Sequence, residues 1–152
     1  MGQHSTHHTT VVLARTLTAP ADRVFAAVTD PAERLQVAAA NKRFAYELQE
    51  TDVRPGGRDV YSFALDRRRR FIGECLYHEI TPERIVCTDI VMANGVRIWI
   101  GMTTIELSPL AGQTKVRLTR QIVWLDDGDA HEGADGCHSE LLDDLERYFA
   151  RA

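Results

Sequence analysis

Nothing in this chain approaches a membrane span, since no apolar run reaches the ~20 residues that a bilayer crossing requires. The amino terminus, MGQHSTHHTT, has neither the basic start nor the apolar stretch of a secretory signal, which makes the cytoplasm the default compartment. Cysteine is scarce: Cys75, Cys87 and Cys137 are odd in number and widely spaced. That pattern fits reduced thiols packed as small apolar side chains rather than a disulfide framework. Positive charge is not in excess either. The net charge is −4 and the arginines are scattered among 22 acidic residues, so the long-range field does not draw in a polyanion and no nucleic-acid partner is expected. His4, His7 and His8 cluster in a featureless tail, but no second set of donors completes a metal site. No nucleophile motif or nucleotide fingerprint is present, so neither a metal nor a cofactor is expected.

What is present is enough for one core. A chain of 152 residues removes roughly 68–70% of its unfolded surface from water, and the balance of 44% apolar and 26% charged residues is that of an ordinary globular domain. The stretch DVRPGGRDVYSFALDRRRRFIG, Asp52 to Gly73, holds a glycine pair between arginines and then four arginines in a row. No helix pattern follows the glycines, so a phosphate-cradling loop has no support. Pro55-Gly56-Gly57 reads as a turn between two strands, and Asp66 to Arg70 as the solvated end of a hairpin.

The rest of the chain reads mostly as strands. TVVLARTL, residues 10 to 17, is the first, followed by two short helices: Asp22 to Val28, with Pro20 just before it, and a second opened by Asp30-Pro31 through about Val37. Strands are then expected over about 44–53, 58–65, 69–80, 84–92, 97–108 and 114–125, joined by short turns as an antiparallel meander. About Ala134 to Ala150 carries Leu141, Leu142, Leu145, Tyr148 and Phe149 on one side and charges on the other, which predicts an amphipathic helix laid on the sheet. Residues 1–8 read as a flexible tail and 9–152 as a single domain.

The turns allow facing residues to be estimated. Closing a hairpin over Pro109 to Gly112 with an even register sets Ile98 against Trp124, Ile100 against Ile122, Met102 against Arg120 and Thr104 against Leu118, all on the apolar face. Trp99, Thr103 and Ile105 then fall on the outer face, where Trp99 and Ile105 offer a surface for a possible homodimer. The Asn94-Gly95 turn sets Val91 against Ile98 and brings Asp89 and Arg120 to the same inner face. Arg120 interrupts the alternating series Val116, Leu118, Ile122, Trp124. A guanidinium there either snorkels to an edge or extends into a hollow with a carboxylate or water, because a dry burial costs several kcal/mol. His138 shares the helical stripe of Leu141, Leu142 and Leu145, either as a hydrogen-bonded core residue or as a polar group of a site.

ARTLTAPADRVFAAVTDPAERL resembles the opening of domains similar to the activator of the Hsp90 ATPase, within the superfamily of START-like, birch-pollen-allergen-like and polyketide-cyclase (SRPBCC) domains. DVRPGGRDVYSF, HEITPERIVCTD, TTIELSPLAGQTKVRLTRQ and LLDDLERYF follow in the order and spacing of that family, over about Val11 to Phe149. The resemblance implies an α+β helix-grip fold, in which a curved antiparallel sheet wraps a long C-terminal helix and leaves a ligand cavity between them. It implies that the Arg-Pro-Gly-Gly-Arg stretch is a hairpin. Two departures stand out: relatives often carry tryptophans after TDPAERL, where this chain has Gln36, Val37 and Ala38, and tend to have Gly-Trp where Cys137 and His138 stand. The first opens one wall of the cavity, and the second exchanges an apolar lid for an ionisable group.

The expected function is binding of a small hydrophobic or aromatic molecule, a lipid or polyketide-like metabolite, in a mainly apolar cavity. Its expected lining is Tyr61, Phe63, Met102, Arg120, Trp124, His138 and Leu142, with Arg120 meeting a carboxylate, phenolate or carbonyl. An enzyme of the cyclase, aromatase or hydrolase kind using the same cavity is the alternative, with His138 as general acid or base. A role beside the Hsp90 chaperone is suggested by the family resemblance alone.

Overall fold

The computed structural model describes residues 6–39, 44–65, 69–125 and 140–150. β1 (His7–Leu17) leads through Ala19-Pro20 into α1 (Ala21–Thr29) and α2 (Pro31–Ala39). β2 (Phe44–Thr51), β3 (Arg58–Leu65), β4 (Arg69–Thr81), β5 (Arg84–Ala93), β6 (Val96–Leu110) and β7 (Gln113–Trp124) follow, and α3 (Glu140–Ala150) closes the chain. The seven strands form one antiparallel sheet in the order β1-β7-β6-β5-β4-β3-β2. No described helix is long and apolar enough to cross a membrane.

Local chemistry accounts for the elements. Asp30 accepts the Glu33 amide at 3.0 Å, capping α2, and Pro31 occupies the first helical position where its missing N–H costs nothing. Between β2 and β3, Gly56 has φ +84, and a Cβ on Gly57 would stand 2.1 Å from the Asp52 carbonyl. Both glycines therefore serve chain reversal. Arg54 at the turn is spent on the Asp52 carboxylate at 2.8 Å, Arg58 pairs with Glu50 at 3.2 Å, and Arg70 pairs with Glu47 at 3.2 Å. Of the other arginines of the run, Arg69 opens β4, and Arg67 and Arg68 lie outside the described residues.

β1 begins at His7, opposite Trp124, so the strand takes in His7 and His8, the last two residues of the expected tail. The larger difference is register. Ala111 and Gly112, at φ 49 and 83, make a two-residue turn between β6 and β7, which sets Trp99 against Trp124, Thr103 against Arg120 and Ile105 against Leu118. This is one residue from the expected pairing, and because strand side chains alternate, the slip turns β6 over from Trp99 onward, while Ile98, passed over at a bulge, stays buried. Trp99 and Ile105, expected outside as a dimer surface, are buried on the inner face, and Met102, expected inside, is 47% exposed. The Asn94-Gly95 turn pairs Ala93 with Val96 as expected, but a bulge between Val91 and Met92 shifts the ladder by one. Val91 therefore opposes Trp99, not Ile98, and Asp89 opposes Gly101.

Two apolar clusters line the inner face. One, under the helices, joins Leu17, Val24, Val37, Ile85, Leu107, Val116, Leu118, Leu142, Leu145 and Phe149. The other is aromatic and includes Phe63, Phe71, Val91, Ile98, Trp99, Ile122 and Trp124. Helix α3 buries Leu142, Leu145 and Phe149 and is held at its rim by Arg15, which reaches Asp143 at 3.3 Å and Glu146 at 3.5 Å. Tyr148 donates to Glu33 at 3.4 Å, and Glu33 also pairs with Arg23 at 2.8 Å, so α1, α2 and α3 meet at one carboxylate.

The passage from β1 into α1 is pinned by Thr114, which is fully buried and donates its hydroxyl to the Ala19 carbonyl at 2.7 Å. Thr114→Val keeps the shape and strands that carbonyl, so we expect a loss of about 1–3 kcal/mol, whereas Thr114→Ser retains the donor and most of the bond. Urea unfolding of the three proteins measures the difference.

Candidate functional site

Where the two apolar clusters approach one another the sheet and helices leave a cavity of about 210 Å³. Its apolar wall includes Val28, Val37 and Ala38 from α1 and α2, Phe63, Ile85 and Ile105 from the sheet, and Leu141 from α3. Polar groups reach it in two sets, each centred on a buried carboxylate.

The first set forms around Asp59, 1% exposed at the start of β3. Asp59 Oδ2 takes the Arg34 guanidinium at 2.8 Å and the Tyr77 hydroxyl at 2.5 Å, while Oδ1 accepts from Thr51 at 2.8 Å. Arg34 also donates to the Tyr46 hydroxyl at 3.1 Å. Burial pulls the Arg34 guanidinium down, but Tyr46, Tyr77 and Asp59 outweigh it, so its charge is held more firmly than usual. Burial pushes the Tyr46 phenol up to about 12, against the opposing pull of Arg34. It raises Tyr77 as well, so both phenols are neutral donors at physiological pH.

The second set forms around Asp89 on the central strand. Its Oδ1 accepts from Tyr61 at 3.1 Å and its Oδ2 from Thr103 at 3.4 Å, and Thr103 in turn accepts from Arg120 Nε at 3.1 Å. Arg120 also lies over the Trp99 ring, 5.8 Å from its centroid. Burial raises the Asp89 carboxyl above its ordinary range, and Arg120, Tyr61 and Thr103 oppose that rise. Burial and the adjacent Asp89 raise Tyr61. Cys75 and Cys87, both free, stand beside this carboxylate. The Cys75 thiol is held well above its usual value by its hydrogen bond with Cys87, by burial and by Asp89.

Of the residues expected at the site, Tyr61, Phe63 and Arg120 meet in this cavity. Met102 does not, because the register turns it to the outer face. Trp124 is on the inner face but 1% exposed within the aromatic cluster, its indole N–H donating to Thr9 at 3.0 Å. Leu142 is fully buried in the core, and its helical neighbours Leu141, Glu140 and Asp144 border the cavity instead. His138 lies outside the described residues. Arg34, Tyr46, Asp59, Cys75, Tyr77, Cys87 and Asp89 were not expected to line the site. For Asp59 the signal was available, since it alternates in phase with Tyr61 and Phe63 along β3.

A curved antiparallel sheet gripping a C-terminal helix over such a cavity defines a helix-grip protein of the START- and birch-pollen-allergen-like class. The model of the family described as activator of Hsp90 ATPase homolog 1-like protein matches residues 18–150, and the chain belongs to that family. It is similar to an uncharacterized protein from Rhizobium leguminosarum at 29% identity and a TM-score of 0.84, covering 99% of this chain and 100% of that one. Protein Mll3558 from Rhizobium loti is 28% identical with a TM-score of 0.80, over 95% of this chain and 99% of the other. Ara h 8.0201 shares the fold at 14% identity and a TM-score of 0.72, over 96% and 100% of the two chains. No curated protein matches the chain.

The Arg34–Asp59 pair makes a quantitative expectation possible. Removing one partner, as in Asp59→Leu, leaves a guanidinium in a mostly buried position and is expected to cost about 3–5 kcal/mol. Adding Arg34→Met to that variant removes the orphaned charge and should restore most of the loss. A double-mutant cycle by chemical unfolding checks the coupling.

Proposed function

We propose that the cavity binds a small, neutral ring compound, apolar over most of its surface and carrying one hydroxyl or carbonyl group. The observation that carries this reading is the pairing of charges in so small a space: Arg34 with Asp59, and Arg120 beside Asp89, so that the four formal charges cancel. At the helical wall Asp144 is likewise paired, with Arg147 at 2.7 Å, and Glu140 borders the cavity beside it. An anionic ligand would bring an uncompensated charge into a mostly apolar pocket, whereas a phenol or ketone needs only a hydrogen bond. Tyr46, Tyr61 and the two guanidinium groups supply that chemistry.

Size supports a single ring. An engineered apolar cavity of roughly 150 Å³ takes benzene, and drug-sized ligands occupy pockets of roughly 300–1,000 Å³. At about 210 Å³ the cavity accommodates a substituted ring rather than a lipid tail or a fused polyketide.

Calorimetry or displacement of an environment-sensitive dye, run with phenols, aryl ketones and benzoates of matched size, tests the reading. The neutral compounds should bind at least about tenfold more tightly than the benzoates, a difference of about 1.4 kcal/mol. Ala38→Phe, which fills the wall beside Val37, should weaken them by a similar factor. Tighter binding of benzoates, or an affinity indifferent to Ala38→Phe, would sink the proposal.

A further inference from the structure

Cys75, Cys87 and Asp89 sit together on the floor of the cavity, at the middle of the sheet. Cys87 and Asp89 are two residues apart on β5, the central strand, so both side chains rise from the same face. Cys75 stands directly opposite Asp89 on β4. The two sulfur atoms and a carboxylate oxygen all lie within 4.8 Å of one another. All three residues are buried, and all three border the cavity.

We propose that Cys75, Cys87 and Asp89 form a three-ligand site for a soft divalent cation of the zinc(II) class, with the fourth coordination position directed into the cavity. Two thiolates and one carboxylate select zinc or cadmium over magnesium and calcium, which require oxygen ligands alone. Three protein ligands with a fourth position open to a small molecule is the arrangement of reactive zinc centres, in contrast to the closed four-ligand structural kind. Metal–sulfur bonds of ~2.3 Å and metal–oxygen bonds of ~2.0–2.2 Å hold tetrahedral donors about 3.5–3.8 Å apart. No side of the observed triangle exceeds 4.8 Å, close to that spacing.

Electrostatics favours the exchange. With both thiols protonated, the cluster carries the Asp89 charge, opposed by Arg120. When one divalent cation enters, each thiol gives up its proton to solvent and each sulfur takes a metal bond; two positive charges arrive and two leave. The summed charge of cluster and Arg120 is zero before and after, so the buried site takes up the cation without a net charge. Outer contacts of the kind that orient metal ligands are already in place: Tyr61 and Thr103 donate to the two Asp89 oxygens, and Arg120 donates to Thr103. The site does not depend on the identity of the ring compound proposed above, although the hydroxyl or carbonyl of such a compound would lie near the open position.

The test uses the full chain with His4, His7 and His8 changed to Ala and Cys137→Ser, so that Cys75 and Cys87 are the only thiols. Cobalt(II) is titrated as a spectroscopic stand-in for zinc. The expected result is one cobalt per chain, a sulfur-to-cobalt charge-transfer band of two-thiolate intensity, tetrahedral visible bands, and loss of all three signals on adding zinc. Cys75→Ser and Cys87→Ser should each cut the band and weaken binding by at least about tenfold, and Asp89→Asn should weaken it while keeping the band. Should the cysteine variants fail to fold, alkylation of the parent chain decides: zinc should protect both thiols together. A chain that shows no sulfur-to-cobalt band, a band that survives Cys75→Ser, or thiols alkylated at the same rate with and without zinc overturns the proposal.

Discussion

The inner face of this sheet is divided by charge. Asp59 and Asp89 are both buried, and each is answered by an arginine arriving from a different element, Arg34 from α2 and Arg120 from β7. Neither carboxylate could persist there alone, because a buried and unpaired charge costs several kcal/mol. Once paired, however, they forbid the two apolar clusters from closing over them. Filling the space with leucine or phenylalanine would strip hydrogen bonds from Thr51, Tyr61, Tyr77 and Thr103 as well as from the carboxylates. The cavity is thus the consequence of polar satisfaction on the floor and apolar packing on either side, and its shape follows from which groups must be kept company.

Tyr61 joins the two halves. It packs against both apolar clusters, stacks on Phe63 at 6.1 Å, meets the tilted ring of Tyr46 at 5.8 Å, and puts its hydroxyl on Asp89. Its ring lies over Gly73, where a Cβ would come within 2.2 Å of it. Strand β4 therefore needs a residue without a side chain at the point where β3 leans its tyrosine across the ladder. Phe63 and Phe71, two pairs further along and on the same face, place two full rings there, stacked at 5.0 Å.

Much of this was legible in the sequence, because element type depends on local periodicity and turn chemistry. The strand alternation, the Asp30-Pro31 helix start and the Asn94-Gly95 reversal all carry their meaning within a few residues. Facing residues depend on turn length, and there a single unit decides everything on a strand. Reading Pro109 to Gly112 as the whole turn, instead of Ala111-Gly112 alone, moved Met102 inward and Trp99, Thr103 and Ile105 outward. The shared face of Asp89 and Arg120 was read correctly although the residues opposite them were not, because the bulge after Val91 and the turn error displaced the β6 partner of both. Arg34 was invisible for another reason. Its partner Asp59 lies 25 positions away on a different element, and no local pattern tells an arginine on a short helix whether it points at solvent or at a carboxylate.

Val37 and Ala38 connect the family to the individual chain. The resemblance led us to expect a more open wall where relatives often carry tryptophan, and both residues do border the cavity. A tryptophan there would bury 150–250 Å² of its own surface and occupy much of the room above Arg34 and Asp59. Small residues on α2 leave that room to a guest while the paired charges beneath stay as they are. Change in this fold is easiest on the helical wall, where a side chain contributes only volume. It is hardest on the sheet floor, where each polar group is tied to several others. Ligand size can accordingly be altered without touching the groups that recognise it, and the floor retains its chemistry while the wall sets what may reach it.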